Sequence, residues 1–439
     1  MKKYNVLVLG LGLSGLSAAR LLLGEGCAVT VVDANSTEEL AKKADVLNKA
    51  GAVVILGAKE VPSGRFDLCV ASPGFRIDSP WVKEMQSRGV PVESEIETAF
   101  TRCKCPVLAV TGSNGKSTFA KLVSEMLQAG GLKSAVAGNY GIAFSDVVAS
   151  GMSLDWIVVE VSSFQLETIR KFRPKIAVLL NIQANHLDRH ASMDEYIETK
   201  CRIFENMKRE DSAITGMEIK ETAVSRTKGS PVWFTFGPDN GADCIYRPGI
   251  ISAFASGEVK ISGTMFDNRI LGPSAAAALG AALKAGVEPA EAVMAIKAFK
   301  PLAHRMEPAG TRNGVSFINN SKATTLASLS ASLEMCGGRV RLIAGGLLKE
   351  KNLDWVKINL EKYVKGAYLI GNCAKEMKEA WGCSIPCMLC GDLESAVNEA
   401  WKDVREGECI LLAPGCASFD QFRSFEERGD RFKQIVSKF

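Results

Sequence analysis

An apolar run, Pro106–Val110, leads directly into Thr111, Gly112, Ser113, Asn114, Gly115, Lys116, Ser117 and Thr118. A buried strand followed by such a glycine turn and a helix points several backbone N–H groups at one spot. That spot suits anions. The glycines let the backbone close on phosphate oxygens, Lys116 adds a positive charge, and the hydroxyls offer oxygen ligands to Mg²⁺. In the usual form of the loop position 110 is glycine, and here it is Val110. The loop is a shorter variety of nucleoside-triphosphate site, and the frame it demands is a mostly parallel α/β sheet.

The same strand–helix rhythm runs through the chain. Strands are expected at Asn5–Gly10, Ala28–Ala34 and Phe66–Gly74, with a helix over Leu11–Gly24. Around Thr101–Pro106 the pattern resets. It continues with Ser134–Asn139, Trp156–Ser163 and Lys175–Ile182, and residues 230–271 read as short antiparallel strands. After Phe299–Pro301 come Gly314–Thr324, Val340–Gly346, Gly366–Asn372 and Glu408–Phe422. Apolar strands alternating with helices imply parallel sheets with right-handed crossovers. The 439 residues are too many for one core. The expected architecture is α/β in three domains: a Rossmann-like one over 1–100, a P-loop-type ATPase domain over 101–300, and a second Rossmann-like one over 301–439.

Composition narrows the function. With 53 basic and 49 acidic residues, the net charge of +4 offers no general field for nucleic acid. The apolar N-terminal stretch Val6–Leu23 is broken by Arg20 and reads as strand, turn and helix, not as an export signal. Ser274–Leu283 is short and alanine-rich, a packed helix and not a membrane span. Thirteen scattered cysteines fit reduced thiols in a cytoplasm. Cys383, Cys387 and Cys390 lack a nearby fourth ligand for a tetrahedral metal.

Gly10, Gly12 and Gly15 have dinucleotide-fingerprint spacing, and Asp33 ends the next strand. With a second phosphate loop downstream, a nucleotide-diphosphate ligand fits this turn better than a nicotinamide. An oxidoreductase stays open as the reading from a different class. Glu160 ends a strand at the carboxyl edge of the central sheet, where a carboxylate can hold the metal that neutralises phosphates. The three histidines are His186, His190 and His304, and His186 and His304 fall at a strand end and at a segment junction. From composition alone, Lys200 is an exposed helical lysine.

Taken together, T-G-S-N-G-K-S-T (111–118), E-V-S-S-F-Q-L-E (160–167), N-H-L-D-R-H (185–190), K-x-R-I-F (200–204), H-R-M-E (304–307), N-N-S-K-A-T (319–324) and P-G-C-A-S-F-D-Q-F (414–422) resemble the Mur ligases. These are ATP-dependent amide-forming enzymes of peptidoglycan synthesis. The resemblance spans all three segments. Its second and last blocks look most like the members that add D-glutamate to UDP-N-acetylmuramoyl-L-alanine. Other steps of that family, or a folylpolyglutamate synthase-like ligase, are the alternatives within the class.

The resemblance implies a monomeric cytoplasmic ligase that works through an acyl phosphate. Gly112, Ser113, Asn114, Gly115, Lys116, Ser117 and Thr118 would hold the ATP phosphates. Ser117 and Glu160 would bind one Mg²⁺, and His186 and a carbamylated Lys200 a second. Ser14, Asp33, Asn139, Ser162 and His186 would face the nucleotide sugar. Arg305, Asn320 and Lys322 would reach the nucleotide, and Thr324, Lys349, Ser418 and Phe425 would frame D-glutamate. The chain departs from the family at four places. Asn320 stands where aspartate is usual. Leu271-Gly272-Pro273-Ser274-Ala275 lacks the adenine-side asparagine. Ala34 and Asn35 replace threonine and arginine after Asp33, and Lys349 follows Gly345-Gly346-Leu347-Leu348 without Asp-Gly.

Overall fold

A computed structural model describes residues 4–183, 189–238, 241–254, 256–350 and 352–439. The chain forms two compact units: Met1–Asp267 with Leu271–Phe299, and Asn268–Ile270 with Lys300–Phe439.

The first unit carries two sheets. The first is built from β1 (Asn5–Leu9), β2 (Ala28–Asp33), β3 (Val53–Leu56), β4 (Leu68–Ala71) and β5 (Val92–Ser94), in the order β3-β2-β1-β4-β5 and parallel throughout. Val6, Leu7, Val8 and Leu9 are all fully buried, so β1 is covered on both faces, as a parallel strand requires. The strand order reverses between β1 and β4, which opens a ligand crevice at their carboxyl ends. The helix Leu13–Gly24 starts there. At Gly15 a Cβ would lie 1.9 Å from the Gly10 carbonyl oxygen, so only glycine lets helix and turn meet this closely.

A short helix, Glu95–Phe100, joins the two sheets. The Glu97 carboxylate accepts the backbone N–H groups of Arg170, Lys171 and Phe172 at 3.0, 2.7 and 2.9 Å. The fully buried Glu95 accepts from Ser145 N–H at 2.5 Å. Ser17 Oγ donates to Asp146 at 2.6 Å, and Ser94 Oγ to the Gln165 carbonyl at 3.0 Å.

The second sheet has nine strands: β6 (Val107–Thr111), β7 (Ser134–Gly138), β8 (Trp156–Glu160), β9 (Ile176–Leu179), β10 (Ser212–Gly216), β11 (Val232–Gly237), β12 (Cys244–Arg247), β13 (Ile250–Ala253) and β14 (Glu258–Lys260). Their order is β14-β13-β12-β11-β10-β9-β6-β8-β7. The stretch 230–271 is only partly antiparallel: β11 and β12 extend the parallel sheet, and β13 alone runs against it, between β12 and β14. The strand read as Trp156–Ser163 stops at Glu160, because Ser162 caps the next helix, Ser163–Leu166. The alanine-rich segment forms the buried helix Gly272–Lys284, packed on the helix Lys116–Ala129 and on β12. Among the described residues no helix is long and apolar enough to cross a membrane.

The second unit holds six strands: β15 (Glu307–Arg312), β16 (Val315–Asn319), β17 (Val340–Gly345), β18 (Val364–Ile370), β19 (Cys387–Gly391) and β20 (Cys409–Leu412), in the order β15-β16-β20-β17-β18-β19. All pairings are parallel except β15 with β16. Trp381 and Phe432 are fully buried in the cores on its two faces.

Candidate active site

The phosphate loop leaves β6, which lies between β8 and β9 in the second sheet, so residues ending all three strands converge on it. Gly115 takes a left-handed φ of +83° just before the helix Lys116–Ala129, which glycine tolerates without strain. Asn181, two residues beyond β9, organises the turn. Its side-chain oxygen accepts from Ser113 N–H at 3.1 Å and Asn114 N–H at 2.9 Å, and its amide nitrogen donates to the Asn114 carbonyl at 3.1 Å. Ser113 Oγ donates to the Gln183 carbonyl at 2.9 Å and lies 3.1 Å from the Tyr196 hydroxyl. Asn114 Nδ2 donates to Gln183 Oε1 at 2.7 Å. The Ser113 and Asn114 amides are thus directed at Asn181. The helix Lys116–Ala129 begins at this loop with Gly115 as its N-cap, and a helix start favours anions.

Two lysines meet at one carbonyl. Lys116 Nζ donates to Gly112 O at 2.8 Å and Ser113 O at 3.0 Å, and Lys200 Nζ donates to the same Gly112 O at 2.8 Å. Lys200 is no exposed helical residue but is 2% exposed. Burial, and after it the Lys116 charge, holds its ammonium well below the usual lysine range, against the opposing pull of Glu160. Burial thus disfavours the charged form of this amine.

Glu160 is buried at the end of β8. Its carboxylate accepts from Ser117 Oγ at 2.5 Å on one oxygen and from Asn139 Nδ2 at 2.7 Å on the other. Asn139 N–H also donates to the Glu160 carbonyl at 2.8 Å. Ser117 Oγ and the Glu160 carboxylate set oxygens beside the loop, the donor chemistry a hard cation such as Mg²⁺ takes, and the Asn139 amide nitrogen holds the carboxylate from its other side. His186 lies outside the described residues. Ser274, near the start of its helix, places Oγ 4.0 Å from where a Cβ on Gly115 would sit, so this helix start borders the loop.

At the first sheet, both Asp33 oxygens are used by backbone: Leu11 N–H at 2.8 Å and Asn35 N–H at 2.9 Å. Asp33 thus shapes the Gly10 turn. Ser14, in the first turn of the helix, is half-buried. Ser162 accepts from Gln165 N–H at 3.2 Å in a capping box, so its hydroxyl serves the helix start.

In the second unit, Arg428 gathers the motifs. Buried at 1% exposure, it donates to Ser321 Oγ at 3.0 Å, the Ser321 carbonyl at 2.9 Å and the Cys416 carbonyl at 3.1 Å. Ser321 Oγ donates to the Phe425 carbonyl at 2.8 Å, and Lys322 Nζ sits 3.7 Å over the Phe425 ring. Leu347 and Ala417 exchange backbone hydrogen bonds of 2.9 and 3.0 Å, which sets the loop bearing the exposed Lys349 beside the buried Ser418. Lys322, Thr324, Ser418, Phe425 and that loop therefore share one end of the third sheet. His304 precedes Arg305 with a φ of +60°, and its Nδ1 lies 3.0 Å from Asn319 Nδ2. Asn320 turns inward: it accepts from Met306 N–H at 3.2 Å and donates to Ser332 Oγ at 2.6 Å. An aspartate could not make that donation.

Asn181, Tyr196 and Arg428 escaped the reading of the sequence. Asn181 carried a usable signal, since an amide two residues past a strand adjacent to the phosphate loop can hold that loop's backbone. Arg428 carried none, as an arginine in an amphipathic helix reads as solvated.

A parallel sheet with a phosphate loop, a strand-end carboxylate and a buried lysine defines a nucleotide-dependent α/β enzyme class. Known proteins refine this. Residues 110–273 match the Mur ligase middle domain, and residues 4–94 match the Mur ligase MurD-like N-terminal domain. A UDP-N-acetylmuramoylalanine–D-glutamate ligase of Koribacter versatilis (strain Ellin345) is 37% identical over 448 residues, covering 99% of this chain and 97% of that protein. One from Acidobacterium capsulatum is 36% identical over 453 residues, covering 99% and 96%. The chain belongs to the Mur ligase family. Among solved structures, MurF ligase of Thermotoga maritima in complex with ADP superposes with a TM-score of 0.64 at 17% identity, covering 94% of this chain and 95% of that one. UDP-N-acetylmuramate-alanine ligase MurC of the same organism gives 0.62 at 16%, covering 99% of both. At such identities the likeness speaks for the fold.

Proposed function

We propose that this chain is a cytoplasmic, monomeric ligase that joins D-glutamate to UDP-N-acetylmuramoyl-L-alanine at the expense of ATP. The observation that carries the reading is the Ser117–Glu160–Asn139 edge lying beside two lysines on the Gly112 carbonyl. The full-length likeness to D-glutamate ligases supports the choice of substrates. In this reading residues 1–100 hold the nucleotide sugar, 101–300 hold ATP, and 301–439 bring the amino acid and close on the nucleotide.

The physical logic follows from charge. A carboxylate is a poor acyl donor because oxide would have to leave, so its oxygen first attacks the γ-phosphorus and ADP departs. The D-glutamate nitrogen then attacks the acyl carbon, loses a proton, and phosphate departs. Both encounters bring anions together, and fixed positive charge lowers their barrier. Lys116 leaves its two carbonyls for the γ-phosphate, while Gly115, Ser117 and Thr118 cradle the neighbouring oxygens. Ser117 and Glu160 would hold one Mg²⁺, whose charge would supply the remaining neutralisation. The buried Lys200 amine would add to CO₂ with release of one proton, and the carbamate would offer its oxygens to a second Mg²⁺. His186 is assigned to that metal from its motif alone. Asn139, Ser14, Asp33 and Ser162 serve the nucleotide-sugar side. Arg305, Asn320 and Lys322 serve the nucleotide, and Thr324, Lys349, Ser418 and Phe425 the amino acid.

The test is phosphate release by the full chain with each component left out in turn. Release that needs ATP, Mg²⁺, UDP-N-acetylmuramoyl-L-alanine and D-glutamate together is the expected result. Release that prefers another amino acid, or a folate acceptor, moves the chain to another ligase, and absence of release from folded protein sinks the reading.

A further inference from the structure

Arg189 has no part in the chemistry described above, yet it is a heavily engaged cation near it. Its side chain is 12% exposed. One terminal nitrogen donates to the Pro73 carbonyl. The other donates to the Phe75 carbonyl at 3.0 Å and to Glu167 at 3.1 Å. The guanidinium carbon lies 3.9 Å over the Phe164 ring. These partners come from both sheets of the first unit. Pro73 and Phe75 belong to the loop after β4, at the crevice of the first sheet. Ser72 of that loop donates to the Gly10 carbonyl at 3.1 Å, and a Cβ on Gly10 would come within 3.1 Å of the Phe75 ring. Phe164 lies in the helix that follows Glu160, and Glu167 is the residue at its C-terminal cap.

From Phe164 the contacts run on to the phosphate loop. His190 stacks on Phe164 at 5.8 Å and meets Tyr196 at 5.1 Å, and the Tyr196 hydroxyl lies 3.1 Å from Ser113 Oγ. The planar fork of an arginine can serve two carbonyls, a carboxylate and a ring face at once, which a lysine point charge cannot.

We propose that Arg189 is a positioning residue that fixes the Ser72–Phe75 loop, and with it the nucleotide sugar, at the distance from the phosphate loop that phosphoryl transfer requires. This rests on the ligase reading for its substrate and on the geometry alone for the loop. Displacement of a bound substrate by about 1 Å can cost on the order of 100-fold in rate. The loss should therefore fall on the nucleotide sugar and not on ATP.

The experiment compares wild type with Arg189→Lys, and with Arg189→Ala as the harsher change. The lysine variant should melt close to wild type and keep its KM for ATP within about twofold. Its KM for UDP-N-acetylmuramoyl-L-alanine should rise about tenfold or more, and its kcat should fall. Equal shifts in both KM values, or none, overturn the inference. Amide exchange over residues 72–76 of the ligand-free protein reads the loop directly, even for a variant that turns over nothing. Protection should drop about tenfold in Arg189→Lys, and unchanged protection also overturns the inference. If wild type itself releases no phosphate, the ligase reading fails, while the exchange measurement still decides the role of Arg189.

Discussion

The phosphate loop and the Gly10 turn are both glycine bends between a parallel strand and a helix, but they are held differently. Asn181, Gln183, Tyr196 and Lys200 all reach into Gly112–Asn114 from other elements. The Gly10 turn is tied by Asp33 and Ser72, and Gly12 and Leu13 stand exposed at its tip. A loop that must stabilise moving charge gains by being set in advance, since reorganisation during reaction would raise the barrier. A turn that only grips a ligand can leave part of its surface open. Chemistry and recognition thus ask for different amounts of rigidity from the same motif.

This contrast can be broken by substitution. Lys116→Ala should lower phosphate release by about a thousandfold with the melting temperature little changed, as loss of a preorganised charge does. A loss under tenfold would place the essential charge elsewhere. The next largest effect concerns the helix that joins the two sheets. Burial lifts the Glu95 carboxyl to about 7, above its unfolded value of 4.5. Between those values the native state keeps a proton that the unfolded chain has released, so stability falls as pH rises through that window, by up to ~3 kcal/mol. Urea denaturation of Glu95→Gln should show a flat profile there.

Asn181→Ala should cut kcat/KM for ATP by about 10- to 100-fold, since the loop loses three side-chain bonds. Asp33→Asn should instead raise KM for the nucleotide sugar about tenfold and spare ATP, because one of two charged acceptor contacts disappears. If both variants damaged ATP and nucleotide-sugar kinetics alike, the two loops would not be separate devices. Smallest of all, Asn320→Asp should cost about 1 kcal/mol in denaturant stability through the lost bond to Ser332, with KM for ATP unchanged.

The central strands and both glycine turns were legible because apolar runs ending in glycine have few alternatives. Edge strands were not. Val53–Leu56 alternates exposed and half-buried residues, and Cys387–Gly391 is largely open on its outer side, so neither makes a solid apolar run. Lys200 is a limiting case. Its burial depends on the loop at Gly112, 88 positions earlier, which no local pattern reveals. Asn320 read as a missing charge, whereas its amide is wired to Ser332, a contact across twelve positions that only the fold supplies. Strand cores are local in sequence, while the contacts that tune a site are not.

Glu97 bears on how this protein can be cut. One carboxylate caps three successive amides of Arg170–Phe172, although residue 100 is where a domain border would be drawn from sequence. Expressing residues 1–100 alone would strand a carboxylate whose three donors are gone. Expressing the remainder alone would leave those donors facing solvent or one another. A fragment library should therefore keep Glu97 with both sheets.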